Sequence, residues 1–208
     1  MIDAEGIHKA HLVLHSLGGP WGLLWASKHP QRVGSITLIN IGLMPGFKWH
    51  YMARLWRMPL LGEAVMLMMN KHTMRLSMSH GSARGIPASY VDEAYATFDW
   101  RTRRTVLKIF RSTMDIETPT QTAIAALSPW KIPALVVWGE GDVFTPARFA
   151  ELQRRYFDVE NIVYLPGSGH WPMLDNPEEV RSAVVPFMRT QLLNCADPGA
   201  GKSCSTSN

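Results

Sequence analysis

The chain has 208 residues, of which 46% are hydrophobic and 18% are charged, and its formal net charge is +4. This composition excludes intrinsic disorder for the body of the chain, and the length fits one large domain or a domain with a subdomain. The longest apolar segment, residues 58–69, is too short for a membrane span and contains Glu63. The mild positive charge forms no nucleic-acid-binding stripe. We therefore expect a cytoplasmic protein without a nucleic-acid partner or a membrane span.

Metal and cofactor chemistry has little support in the sequence. The two cysteines, Cys195 and Cys204, lie near the C-terminus, so neither a disulfide framework nor a paired-cysteine zinc site is expected. Residues 196–203, ADPGAGKS, loosely resemble a phosphate loop, but a predicted helix precedes them where a working loop follows a strand. We expect no metal, no cofactor and a disordered tail over residues 195–208.

Four short apolar runs predict buried parallel strands. The runs are rich in Val, Ile and Leu and lack the polar alternation of a half-exposed strand. Helical patterns follow three of them, which predicts an α/β fold with a mostly parallel sheet of about four strands and helices on both faces. In chain order, the predicted elements are a strand at 11–15, a helix at 19–29, strands at 35–40 and 134–139, a helix at 146–157, a strand at 162–166 and a helix at 177–193.

The long segment between the second and third strands has no strand pattern. It is too long for a loop and shows several helical stretches broken by Pro and Gly, which predicts a helical cap. Eight of the twelve methionines fall between Met44 and Met78. Methionine fills irregular gaps in a core and also forms an adaptable roof over an apolar pocket, and both interpretations stay open. The predicted division is a core over 1–42 and 128–194, a cap over 43–127 and a tail over 195–208.

The first predicted strand leads directly into HSLGG, residues 15–19, which opens a helix. This is the setting of a nucleophile elbow, a sharp turn that exposes a serine hydroxyl at the end of a strand. We expect Gly18 to let strand and helix approach closely, and the Leu17 N–H to supply one donor of an oxyanion hole. The usual glycine two residues before the serine is Leu14 here. A buried Ser16 without chemistry therefore stays an alternative.

An acid and a histidine follow the third and fourth strands. Asp142 lies in WGEGD and His170 in GSGHW, and the carboxyl ends of parallel strands share one edge of a sheet. Ser16, Asp142 and His170 can therefore converge, with His170 as the general base and Asp142 or the nearby Glu140 as the acid. Adjacent strand side chains point to opposite faces, so we expect His15 to support the site rather than act as the base.

Residues 1–193 resemble the α/β-hydrolase superfamily in HSLGG, WGEGD and GSGHWPMLDNPEEV, and in the order Ser, Asp, His. The GGPWG run after Ser16 is similar to haloalkane dehalogenases and epoxide hydrolases, which use an aspartate at this position. The resemblance places the acid at Asp142. It implies a serine hydrolase that cleaves an ester, a lactone or a C–C bond of a small apolar substrate. We expect the pocket to be lined by Trp21, Met44 and Trp171.

The resemblance also implies several strands before the nucleophile strand, whereas the nucleophile here is residue 16. We expect those strands and the second oxyanion donor to be missing, and the strand at 11–15 to offer an open edge for dimerisation. Two alternatives to a serine hydrolase remain. One is a non-catalytic α/β-hydrolase-like fragment or binding protein. The other, disfavoured by Ser16 in place of Asp, is a dehalogenase or epoxide hydrolase.

Overall fold

A computed structural model describes residues 6–113 and 115–196, with side chains up to residue 194. Its centre is a parallel sheet in the order β1-β2-β3-β4. Each strand overlaps the apolar run that predicted it, so the predicted α/β fold with a parallel sheet is confirmed. The strands are β1 (Ala10–His15), β2 (Val33–Ile39), β3 (Pro133–Gly139) and β4 (Asp158–Leu165).

Helices follow every strand in the described part of the chain. The predicted helix at 146–157 is shorter than expected, because it passes into a 3-10 turn at Gln153–Arg155. The last helix continues to Ala196, into the predicted tail, and residues 197–208 of that tail lie outside the described residues. The helices are α1 (Gly18–Lys28), α2 (Tyr51–Arg57), α3 (Leu61–Met68), α4 (Lys71–His80), α5 (Ala88–Ala96), α6 (Trp100–Ser112), α7 (Glu117–Leu127), α8 (Arg148–Leu152), α9 (Pro172–Asp175) and α10 (Pro177–Ala196).

The central strands β2 and β3 lack polar alternation because apolar layers cover both of their faces. On one face, Ile36 and Leu38 of β2 pack in a cluster that includes Leu127 of α7. On the other face, Val137 of β3 packs with Phe187 of α10. Each fully buried side chain of this size contributes about 1.5–3 kcal/mol to folding. The two layers hold the strand ends, and therefore the loops that follow them, in fixed positions.

Helices α2 to α7 occupy the chain between β2 and β3. Several of their apolar side chains form a cluster separate from the sheet, including Met69, Met74 and Val91. Helix α7 differs, because its Ala123 and Leu127 belong to the same cluster as the sheet residues. The predicted cap segment therefore contains one helix that packs on the core. The division into core and cap stays a prediction.

Strand β1 forms one edge of the described sheet. It pairs with β2, and no described strand lies on its other side. Leu14 is buried beneath α1, whereas Val13 on the opposite face is 51% exposed. In the part of the chain that the structure describes, no helix combines the length and apolar character that crossing a membrane requires.

Candidate active site

Ser16 occupies the sharp turn between β1 and α1. Its φ is +50°, in the left-handed region that costs a non-glycine residue about 1–2 kcal/mol, and Gly19 N–H donates to its carbonyl over 2.9 Å. The expected close approach at Gly18 is wrong, since a Cβ added there would meet nothing within 4 Å. The tight contact falls one turn later, where a Cβ on Gly22 would lie 2.3 Å from a methyl carbon of Leu14. The strained serine backbone is the geometry of a nucleophile elbow.

A continuous hydrogen-bonded chain joins the ends of three strands. Ser16 Oγ lies 2.7 Å from His170 Nε2, and His170 Nδ1 lies 2.8 Å from Asp142 Oδ2. The side chains of Asp142 and His170 are almost completely buried. Glu140, the alternative acid, is exposed, and the carboxylate that contacts the imidazole belongs to Asp142. The three residues that the sequence brought to one edge therefore do meet there.

The Asp142 carboxylate is held by donors from its own loop and from Asn40, directly after β2. Asn40 Nδ2 donates to Oδ2 over 2.6 Å, and the Phe144 and Thr145 N–H groups donate to Oδ1 over 2.7 and 2.9 Å. Burial disfavours the charged carboxylate, but the hydrogen bond and the charge interaction with His170, together with the Thr145 bonds, outweigh it and lower the pKa of Asp142. The carboxylate is thus kept ionised and fixed toward the imidazole.

Two contacts fix the backbone of the histidine loop. His15 Nε2–H donates to the His170 carbonyl over 2.7 Å, which places His15 in the supporting position expected of it. The His170 N–H donates to the carbonyl of Gly81, directly after α4, over 2.6 Å. Both contacts are made to the backbone of His170, so its Nε2 remains available to Ser16 Oγ.

Asp175 anchors the same loop to the cap segment. Its carboxylate accepts from Gly169 N–H over 2.7 Å, from Ser82 Oγ–H over 2.6 Å and from the Ala83 N–H over 3.2 Å. Burial acts to raise the pKa of Asp175, but these hydrogen bonds outweigh it and the pKa is lowered. An ionised carboxylate therefore ties the residue before His170 to the chain after α4.

A cavity of about 510 Å³ opens above Ser16 and His170. The three residues predicted for the pocket line this cavity, as does the residue predicted for the oxyanion hole: Trp21, Met44, Trp171 and Leu17. The methionines divide between the two interpretations given above, because Met66 and Met69 are buried in the fold whereas Met52 and Met78 face the cavity. In the described chain, no three His, Cys, Asp or Glu side chains form a metal site.

Comparison with known proteins places this arrangement in a family. The model of the alpha/beta hydrolase family matches residues 1–183. The chain belongs to the alpha/beta hydrolase family.

Curated alpha/beta hydrolase relatives match most of this chain and a smaller part of their own. A dihydrolipoyllysine-residue acetyltransferase component of an acetoin cleaving system from Pseudomonas putida is 30% identical over 194 residues, 91% of this chain and 48% of that protein. A cis-3-alkyl-4-alkyloxetan-2-one decarboxylase from Shewanella oneidensis is 28% identical, over 85% of this chain and 59% of that protein. A 2-hydroxy-6-oxononadienedioate/2-hydroxy-6-oxononatrienedioate hydrolase from Burkholderia vietnamiensis is 28% identical, over 91% and 65%.

Solved structures share the fold of this alpha/beta hydrolase. The 2-hydroxy-6-oxo-6-phenylhexa-2,4-dienoate hydrolase from Rhodococcus superposes with a TM-score of 0.70 at 18% identity, over 90% of this chain and 66% of that one. A haloalkane dehalogenase from Bradyrhizobium elkani reaches a TM-score of 0.74 at 22% identity, over 92% and 71%. At these identities the likeness concerns the fold alone.

Three residues of the site were not anticipated. Asn40 holds Asp142, Asp175 holds the histidine loop, and His50 lines the cavity. A polar residue directly after the apolar run of β2 marked Asn40. No local pattern marked the other two, since DNPEEV indicated only a helix start and His50 stood alone between Trp49 and Tyr51.

Proposed function

We propose that this alpha/beta hydrolase is a serine hydrolase in which Ser16, His170 and Asp142 form the catalytic triad. The observation that carries the proposal is the unbroken chain of hydrogen bonds from Ser16 Oγ through both imidazole nitrogens to Asp142, at 2.7 and 2.8 Å. Oxygen-to-nitrogen distances in this range allow direct proton transfer in the reacting geometry. The left-handed Ser16 backbone supports it independently, because such strain concentrates at functional turns.

The reaction follows from these positions. His170 Nε2 removes the proton of Ser16 as Oγ attacks the substrate carbonyl, and it returns a proton to the leaving group. Asp142 holds the proton on Nδ1 and stabilises the imidazolium. Water then attacks the acyl-serine with His170 again as base, which releases the acid and restores Ser16. The Leu17 N–H at the start of α1 is the proposed donor to the developing oxyanion.

The walls of the cavity support a small apolar substrate. The cavity of about 510 Å³ has room for a molecule of drug size, and aromatic and aliphatic side chains make up most of its lining. Two relatives are named as hydrolases of 2-hydroxy-6-oxo acids and another as an alkyloxetanone decarboxylase. We therefore propose an ester, lactone or C–C bond as the bond cleaved. Ser16 in place of an aspartate disfavours dehalogenation, which needs a carboxylate nucleophile.

Labelling with a fluorophosphonate probe tests the proposal. The wild-type chain is expected to label at Ser16, and Ser16→Ala to lose the label completely. Ser27→Ala is the matched control, because Ser27 lies on the same helix and its hydroxyl donates to the Leu24 carbonyl. Folded wild-type protein, verified by circular dichroism, that does not label would contradict the hydrolase and favour a binding protein. Halide release from haloalkanes would instead favour the dehalogenase alternative.

A further inference from the structure

His50 lies in the predicted cap segment and lines the cavity together with Ser16 and His170. It directly precedes α2. The His50 ring packs on Phe144 with centroids 4.7 Å apart, and Phe144 packs on His170 with centroids 5.1 Å apart. One aromatic ring therefore lies between the two histidines, and a ligand that contacts both Ser16 and His50 stays within one cavity.

The contacts of His50 define its tautomer. Nδ1 accepts the Ala53 N–H over 3.4 Å and so caps the first turn of α2. A ring nitrogen that accepts a hydrogen bond carries no proton, so in the neutral ring the proton lies on Nε2. Nε2 makes no hydrogen bond to a described residue, and it is not among the buried unpaired atoms of the described side chains. It is therefore a donor open to the cavity.

The cavity around this donor is almost free of charge. Burial, together with repulsion from His170, lowers the pKa of His50 to about 4, so its ring is neutral near pH 7. Among the described residues that line the cavity, none is Lys or Arg and the one carboxylate is that of Asp115. An anionic substrate would find no cation here, whereas an uncharged one loses little hydration.

We infer that His50 binds an acceptor oxygen of an uncharged acyl substrate through its Nε2–H, at a distance from the carbonyl that Ser16 attacks. The inference rests on the proposed function, which defines the reacting end of the cavity. The ligand class is a neutral acyl compound with a second carbonyl or ether oxygen along its chain. The Nε2–H can donate a hydrogen bond to such an oxygen. Beside a plain alkyl chain the same N–H would stay unpaired, which weakens binding.

A binding experiment tests the inference without requiring catalysis. Trp49 and Trp56 line the cavity, so ligand binding is read from tryptophan fluorescence. We expect 2,7-octanedione to bind the wild-type chain about tenfold more tightly than 2-octanone, the amount that one well-placed hydrogen bond supplies. His50→Phe keeps a ring but removes the donor, and should abolish the difference. His50→Gln places an amide N–H near the former Nε2 and should restore part of it.

Controls separate binding from folding. His72→Phe, at an exposed position on α4, is expected to keep the wild-type difference. If His50→Phe does not fold, His50→Ser makes the same prediction, because its hydroxyl still caps α2 but is too short to reach the ligand. A wild-type chain without preference for the diketone, or variants that keep the preference, would overturn the inference.

A kinetic experiment distinguishes this inference from the proposed function. His50→Phe should raise the KM for p-nitrophenyl 5-oxohexanoate about tenfold more than it raises the KM for p-nitrophenyl hexanoate, which lacks the second oxygen. Unchanged labelling of Ser16 together with an unchanged KM would reject His50 alone. Absence of labelling, with a diketone preference that depends on His50, would reject the hydrolase and leave the binding site in place.

Discussion

The two sides of the cavity are built in opposite ways. On the core side, the carboxylates of Asp142 and Asp175 each accept several hydrogen bonds, and the imidazole between them is held at both nitrogens. On the cap side, aromatic rings pack edge to face, and the indole N–H groups of Trp49 and Trp56 are buried without a partner. On the core side, hydrogen bonds fix the positions of the Asp142 and His170 side chains. On the cap side, apolar packing sets the shape of the cavity but orients few polar groups. In the proposed function, chemistry and substrate choice therefore belong to different parts of the chain.

The largest effect is expected from a substitution of Asp142, the proposed acid on the core side of the cavity. Asp142→Asn keeps the shape of the side chain but no longer stabilises the imidazolium, so kcat/KM for p-nitrophenyl hexanoate should fall by about 10³–10⁴-fold. Glu140→Gln is the matched control and should retain activity within about twofold, because Glu140 is exposed. The reverse result, with the loss in Glu140→Gln, would assign the acid to Glu140.

Removal of the second core carboxylate should affect stability more than chemistry. Asp175→Ala leaves the Gly169 N–H and the Ser82 hydroxyl without their acceptor, which should lower the free energy of unfolding by about 2–4 kcal/mol. Urea denaturation measures this loss, and Glu178→Ala at an exposed position provides the control. A change below about 0.5 kcal/mol would show that Asp175 does not hold the histidine loop.

The cap side should respond to pH through His50. Its pKa is about 4 in the folded protein against an ordinary value of 6.5, so the unfolded chain binds the proton first as pH falls. The contribution of the neutral ring to stability is complete above pH 6.5 and decreases down to about pH 4. After allowance for solvent screening, the loss should be about 1–2 kcal/mol.

The pH prediction is checked by urea denaturation of wild-type and His50→Gln protein between pH 7 and pH 4. The difference between their unfolding free energies should shift by that amount over this range. Exposed His72→Gln controls for the loss of one histidine. Parallel pH profiles for wild-type and His50→Gln would contradict a buried neutral imidazole at the cavity wall.

The smallest effect is expected at the sheet edge. Val13 is half-exposed on β1, so Val13→Lys should change the free energy of unfolding by less than about 0.5 kcal/mol. A charge on an edge strand opposes strand pairing, so the variant should be less dimeric than the wild-type chain in light scattering. Wild-type protein that is monomeric at all concentrations would contradict the predicted dimer through this edge.

The sequence predicted those features that depend on local pattern. Apolar runs without alternation placed the four strands, and the loops after three of them supplied Ser16, Asp142 and His170. The error at Gly18 shows the limit, because where a glycine is needed depends on where Leu14 lies in space. The role of Asp175 could not be predicted either, since two of its partners, Ser82 and Ala83, lie more than ninety residues away, after α4.

The hydrogen bond from the His170 N–H to the Gly81 carbonyl joins the loop that carries His170 to the chain directly after α4. Asp175 reinforces it, because its carboxylate holds residues on both sides of the same junction. A shift of the chain directly after α4 would therefore move the backbone of His170. Because these bonds fix the loop that carries His170, the 2.7 Å contact between His170 Nε2 and Ser16 Oγ depends on two distant segments of the chain.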